Sequence, residues 1–319
     1  MQQEGKNMFA NKRLGSILGK LGPLLGLLLI AVVISILNPG FLTAGNLLNV
    51  LRQVSINALI AFGMTFVILT GGIDLSVGST LALSSAVSAM MMANGLDPLL
   101  AVLVGLVIGA LLGAVNGLVI AKGKVAPFIA TLATMTIFRG ITLVLLDGRP
   151  VSGLSDSGFF DLMGKGYLLG IPIPAVLMMI TFVILFIILK QTTVGRRVYA
   201  VGGNEEAAIL SGIKADRIKV LVYSLTGMLS AFAGMILTSR LSSAQPTAGN
   251  AYELDAIAAV VLGGTSLSGG KGKIVGTLIG ALIIGVLNNG LNLIGVSSFF
   301  QQVVKGSVIL LAVLLDRKK

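Results

Sequence analysis

The stretch Leu99–Ala121, LLAVLVGLVIGALLGAVNGLVIA, runs 23 residues without a charge, and an apolar helix needs roughly 17–25 residues to cross hydrocarbon. Leu24–Ile36 and Ile173–Leu189 are similar runs. Working outward from them, hydrophobic residues make up 55% of the 319-residue chain and charged ones only 11%, far below the roughly 25% charged content of a soluble domain. The chain therefore reads as an all-α polytopic membrane protein. Spans are predicted near 21–37, 52–70, 75–93, 99–121, 126–146, 172–189, 219–239, 254–266, 274–294 and 299–315, about ten in all.

The net charge is +11, a value that would suit nucleic acid if the cations were clustered on a soluble face. They sort by loop instead. With these spans, 17 Lys and Arg fall on the side of the termini: the N-terminal segment, Lys122, Lys124, the interval 190–219, Lys271, Lys273 and the C-terminal end. Only four, Arg52, Arg149, Lys165 and Arg240, fall on the other. Cytoplasmic loops carry the excess of Lys and Arg, so the N-terminal segment 1–20, both termini and the loop 190–219 are expected in the cytoplasm of a bacterial cell, and no nucleic-acid role is implied. Lys6, Lys12, Arg13 and Lys20 before an apolar run imitate a signal peptide, but no small-residue cleavage site follows, so that run is expected to be retained as the first span.

Cys and His are both absent, which removes thiol catalysis, disulfides, the usual general base and the commonest metal ligand. Neither a cofactor nor a metal is expected. The longest polar intervals, 147–171 and 190–219, are too short for a hydrophilic domain, so 1–319 is predicted to be a single transmembrane domain whose soluble functions come from partners.

An internal repeat is visible. Gly71-Gly72-Ile73-Asp74-Leu75-Ser76-Val77-Gly78 matches Gly263-Gly264-Thr265-Ser266-Leu267-Ser268-Gly269-Gly270 at five of eight positions. Each copy is followed by a similar helix, Ile108-Gly109-Ala110-Leu111 and Ile279-Gly280-Ala281-Leu282. Paired glycines weaken a helix, and Asp74 and Ser266 behind them are N-cap types, so broken or re-entrant helices are predicted at both sites. Such breaks survive at membrane depth only inside protein or beside water. Gly71, Gly72, Asp74, Gly263, Gly264 and Ser266 are thus candidates either for helix capping or for a translocation path. Asn116, Asn288 and Asn289 lie in apolar spans, where an unpaired amide costs several kcal/mol; each bonds a neighbouring helix or lines a wet channel suited to polyhydroxylated solutes. Gly105, Gly109, Gly113 and Gly117, at a four-residue interval, form a flat face for close helix packing. Arg139 and Lys305 are the only cations placed inside spans, and they either snorkel, pair or bind substrate.

The interval 190–219 carries a short-helix signal: Asn204 as N-cap, Glu205 and Glu206 in the first turn, Ala207 and Ala208 continuing, and Gly212 to end it. Its apolar Ile209, Leu210 and Ile213 would be partly uncovered among Arg196, Arg197, Lys214, Arg217 and Lys219. It fits either a groove on another protein or an anionic membrane surface.

Glu206-Ala207-Ala208, three residues and Gly212 resemble the EAA loop of ABC importer permeases. The Gly71–Gly78 segment, Gly195-Arg196-Arg197 with Val201–Ala208, and Val261-Leu262-Gly263-Gly264 together look like the ribose and simple-sugar permease family over essentially the whole chain. The resemblance implies a homodimeric permease, not itself an enzyme, that receives sugar, with ribose foremost, from an extracytoplasmic binding protein. It would couple to a cytoplasmic ATPase through Asn204, Glu205, Glu206, Ala207, Ala208 and Gly212. The longer EAA pattern of other importers has a distal Pro that this chain lacks. No phosphate-binding Gly-x4-Gly-Lys-Ser/Thr loop is present, so ATP hydrolysis belongs elsewhere. Rival readings are an ion-coupled transporter using Asp74, an amino-acid permease, and an intramembrane enzyme, for which the chain offers little chemistry.

Overall fold

A computed structural model describes residues 22–154 and 158–316; the predicted N-terminal segment 1–20 lies outside them. The helices in chain order are α1 (Gly22–Leu37), α2 (Ala44–Leu69), α3 (Val77–Ala93), α4 (Pro98–Ala121), α5 (Pro127–Leu146), α6 (Gly158–Lys165), α7 (Ile173–Gln191), α8 (Thr193–Gly203), α9 (Glu205–Leu210), α10 (Ala215–Leu241), α11 (Tyr252–Leu262), α12 (Ile274–Leu293) and α13 (Ser298–Asp316). Among the described residues, α2, α4, α5, α7, α10 and α12 are the six long and apolar enough to cross a membrane, while α1 and α3 are shorter apolar helices. A two-residue hairpin, Tyr167–Leu168 with Ile171–Pro172, follows α6.

The arrangement is set by which faces can be covered. The core helices are α2 and α10: Leu59, Ile60, Phe62, Phe66 and Ile68 of α2 and Tyr223, Met235 and Ile236 of α10 are fully buried. Around them, α4, α5 and α7 turn outward large apolar residues such as Leu111, Ile129 and Ile180, as helices bathed in lipid do. The glycine stripe of α4 faces α10 as its spacing predicts. A Cβ at Gly109 would strike Ala231 and the Gly227 carbonyl, and one at Gly113 the Tyr223 carbonyl. Close approach replaces the hydrophobic effect as the source of attraction between spans.

Short bonds fix the two ends. At one end Lys124 pairs with Asp216 (3.6 Å), and Tyr199 of α8 donates to the Gly272 carbonyl (2.8 Å). At the other, the Arg52 guanidinium sits 5.0 Å from the Tyr167 ring and Arg240 donates to Asn49 Oδ1 (3.3 Å). These ends separate Lys124, Lys190, Arg196, Lys271 and Lys273 from Arg52, Lys165 and Arg240, the same sorting that the loops imply.

One predicted span, 254–266, is the shortest of the ten and stays short in the structure. The apolar window 254–266 becomes α11, whose 11 residues extend roughly 16 Å at 1.5 Å per residue, about half a hydrocarbon core. Glu253 and Asp255 in its first turn are favoured by the helix dipole and mark its start within the bundle. The segment 242–251 leads inward to it, and Gly249 abuts Gly78 at the start of α3.

Candidate functional site

Both paired-glycine motifs end a helix by the same backbone device. After α2, Gly71 at φ +79 donates its N–H to the Ile68 carbonyl (2.9 Å) and Gly72 to that of Val67 (3.1 Å). After α11, Gly264 at φ +84 donates to Val261 (2.8 Å) and Thr265 to Val260 (3.2 Å). Each is a Schellman cap, which needs a left-handed residue that glycine supplies without a Cβ clash. The left-handed residue is the first glycine of one pair and the second of the other, so the match in sequence is one residue out of step with the match in geometry.

The two caps lead into different structures. Asp74 is buried, and its Oδ1 accepts from the Ser76 amide (2.9 Å) and hydroxyl (2.7 Å), while Asn116 Nδ2 donates to Ser76 Oγ (2.7 Å). Asp74 thus lies two residues ahead of the α3 N-cap, Ser76, in a closed knot tying α3 to α4. The Thr131 hydroxyl donates to the Ile73 carbonyl (3.2 Å), extending the knot to α5. Ser266 begins no helix: its amide donates to the Lys271 carbonyl (2.9 Å) and its hydroxyl accepts from the Ser268 amide (3.3 Å), folding 266–271 into a tight loop before α12.

That loop joins the three segments singled out in the sequence. Gly270 donates to the Leu69 carbonyl at the end of α2 (3.0 Å), and a Cβ on Gly202, in the last turn of α8, would run into the same carbonyl. A Cβ on Gly269 would lie 3.0 Å from the Gly71 amide and 2.8 Å from the Gly202 carbonyl. The first helix break, the loop after the second and α8 therefore meet backbone to backbone. Tyr199 pins the same junction through Gly272, and burial pushes its phenol pKa up, keeping it a proton donor.

The short helix of 190–219 forms as its caps predict. Asn204 Oδ1 accepts from the Ala207 amide (2.9 Å), and Gly212 at φ +82 closes α9. Glu205 pairs with Lys219 of α10 (2.7 Å) and Ala208 is buried, so one face is anchored. The other carries Glu206 and Ala207, both exposed, beside Ile209 and Leu210, the last 89% exposed. Helix α8 ahead of it, amphipathic and studded with glycine, was not anticipated.

The intramembrane asparagines are only partly satisfied: among the described residues, Asn116 Oδ1 and Asn288 Oδ1 are buried without a hydrogen-bond partner. Asn289 and Asn46 exchange amide hydrogen bonds (2.9 and 3.0 Å). Asp255 takes Lys305 (3.0 Å) and Asn57 (3.4 Å). Arg139 donates to the Pro246 carbonyl (2.6 Å). Both in-span cations thus hold the entry to α11, one from α5 and one from α13.

A cleft of about 470 Å³ opens beside this entry, its mostly apolar wall of Met135, Leu143 and Ala251 carrying Ser79, Thr136, Arg139, Asn250 and Glu253. Its residues were missed apart from Arg139. Asn250 and Glu253 sit beside the window 254–266, whose shortness against the roughly 17–25 residues of a full span was the signal that could have exposed them. Among the described residues no group of three or more metal-ligating side chains converges.

A bundle of apolar, membrane-length helices with a capped, exposed helix at one end suits a membrane-transport subunit. The chain belongs to the family described as branched-chain amino acid transport system / permease component, whose model matches residues 46–313. It is similar to the ribose import permease protein RbsC of Bacillus subtilis, 69% identical over 95% of this chain and 94% of that protein. The corresponding protein of Haemophilus influenzae is 56% identical over 98% and 97%, and the D-allose transport system permease protein AlsC of Escherichia coli is 42% identical over 93% and 91%. No solved structure matches the chain significantly.

Proposed function

We propose that this chain is the membrane subunit of an ATP-driven importer for ribose in a bacterial cytoplasmic membrane, with both termini and α8–α9 in the cytoplasm. The observation that carries the coupling role is the junction of Gly71, Gly202, Gly269 and Gly270, which leaves α9 no soft layer through which a push could be lost. The six spanning helices together with α1, α3, α13 and the half-length α11 make ten membrane-inserted helices in a single domain. The excess of cations at the α8–α9 end orients them.

In this reading a separate ATPase grips Glu206, Ala207, Ile209 and Leu210, while Asn204, Glu205, Ala208 and Gly212 hold the helix in place. ATPase closure shifts the importer between outward-open and inward-open states only if the ATPase binds α9 differently in the two. Displacement of α9 moves α8, and through Gly202 and Gly270 it moves the caps at Gly71-Gly72 and Gly263-Gly264 together with Ser266. The entry to α11 then shifts against α3 and α5, reshaping the cleft of Ser79, Thr136, Arg139, Asn250 and Glu253. Donors and acceptors of that kind exchange hydrogen bonds with sugar hydroxyls. A half-open cleft holding Arg and Glu cannot face hydrocarbon cheaply, which supports a second copy across a water-filled path. Asp74, Asn116 and Ser76 keep α3 in register, and Asn289 does the same for α12 through Asn46. An extracytoplasmic binding protein delivers the sugar.

Identity with ribose permeases supports ribose; the description of the family keeps a branched-chain amino acid as the second reading. Uptake of labelled ribose and labelled leucine by cells lacking their own ribose permease, supplied with this chain and its cognate ATPase and binding protein, separates the two. Ribose accumulation without leucine accumulation is expected, and leucine accumulation alone overturns the assignment.

A further inference from the structure

A second cleft, of about 790 Å³, lies at the lysine-rich end between the C-terminus of α7 and the N-terminus of α12. Its rim carries Lys190, Arg196, Lys271 and Lys273, and its wall carries Phe186, Leu189, Ile274 and Val275. None of the four cations has a carboxylate partner among the described residues: the ion pairs there belong to Lys124, Arg149, Lys165, Lys219 and Lys305. Lys190 instead sits 5.2 Å from the Phe186 ring, and Arg196 reaches only the Gln191 carbonyl (3.5 Å). Lys273 also stands at the N-cap of α12 without a side-chain cap, so free amides and the helix dipole add to the positive field.

Four unpaired cations over an apolar wall, at the level where spanning helices end, match a phosphodiester with acyl chains. We propose that this cleft binds one anionic phospholipid, its phosphate between Lys190, Arg196, Lys271 and Lys273 and an acyl chain along Phe186 and the exposed Val275. A free phosphate would use the rim and leave the wall bare. Lys271 and Lys273 flank Gly272, whose carbonyl holds Tyr199, so the lipid braces the loop that joins α8 to both helix breaks. Clusters of basic residues at the cytoplasmic surface attract anionic headgroups with about 1 kcal/mol per cation, and here four are focused on one cleft.

The test uses the assembled importer in nanodiscs of phosphatidylcholine containing one-fifth phosphatidylglycerol, with retained lipid read by native mass spectrometry. Wild type is expected to retain phosphatidylglycerol. A Lys271→Gln/Lys273→Gln variant is expected to bind it about 10-fold more weakly or worse. A Lys214→Gln/Arg217→Gln variant, equal in charge removed at the same end but outside the cleft, is expected to bind as wild type does. Equal loss in both variants reduces the site to general surface charge and overturns the proposal. Displacement of the lipid by inorganic phosphate or by glycerophosphoglycerol at comparable concentration removes the acyl chain from the site and also overturns it. So does an assembled importer free of lipid whose cleft variant releases the ATPase, since that result gives the cations to the ATPase.

Discussion

The two helix breaks use one cap for different ends. At Gly71-Gly72 the chain turns at once into a buried knot of Asp74, Ser76 and Asn116 and restarts as α3. At Gly263-Gly264 it runs into a loop whose Gly269 and Gly270 touch α8 and the first break. Equal caps with unequal loops behind them mean that the first break leads straight into a packed helix, while the loop after the second bridges α8 and the first break. A repeated motif therefore specifies a backbone turn and leaves its use to the residues behind it.

The largest expected effect comes from wedging the junction. Gly202→Val places a branched side chain against the Leu69 carbonyl, and overpacking of this kind costs about 1–3 kcal/mol. Ribose uptake per inserted permease should fall by ~10-fold or more, and uptake near wild type would mean that the second break does not communicate with α8. Next, Asp74→Leu strips the knot of its acceptor and leaves Ser76 and its amide unsatisfied, a loss of about 1–3 kcal/mol visible as a lower Tm in detergent. Asp74→Asn keeps an acceptor and should preserve ATP-driven uptake without any new dependence on the proton gradient. An uptake defect in that variant that tracks the gradient would instead revive ion coupling through Asp74.

Gly71→Ala and Gly264→Ala test the shared device itself. Both positions are left-handed with open space around a new Cβ, so each should cost about 1–2 kcal/mol, and clearly unequal losses of Tm would break the equivalence. The smallest effect is Tyr199→Phe, which removes one hydrogen bond to Gly272 worth about 1 kcal/mol. Its signature is a modest drop in uptake with little change in the unfolding temperature.

The local features were the legible ones. Asn204 and Gly212 bracket α9 because a cap is written in a few adjacent residues, and the four-residue glycine interval of α4 reports its packing face directly. Hydropathy located 254–266 within a few residues of α11, but an apolar window has the same composition whether its helix spans the membrane or half of it. Arg139 and Lys305 stood out as cations in apolar runs, but their partners, the Pro246 carbonyl and Asp255, lie 107 and 50 residues away. Helix α8 was hidden by Gly195, Gly202 and Gly203, which lower helix propensity; Gly202 is required by close contact with the Leu69 carbonyl and the 266–271 loop, and Gly195 by contact with the Leu189 carbonyl of α7. The asparagines were recognised as needing partners, and only the fold could show which groups they find.

The central claim is that force enters through α9, and Glu206→Lys tests it most directly. Glu206 is exposed, so the variant should insert at wild-type levels. The account predicts that it no longer co-purifies with the ATPase and no longer accumulates labelled ribose. A variant with normal ATPase assembly and normal uptake would contradict it.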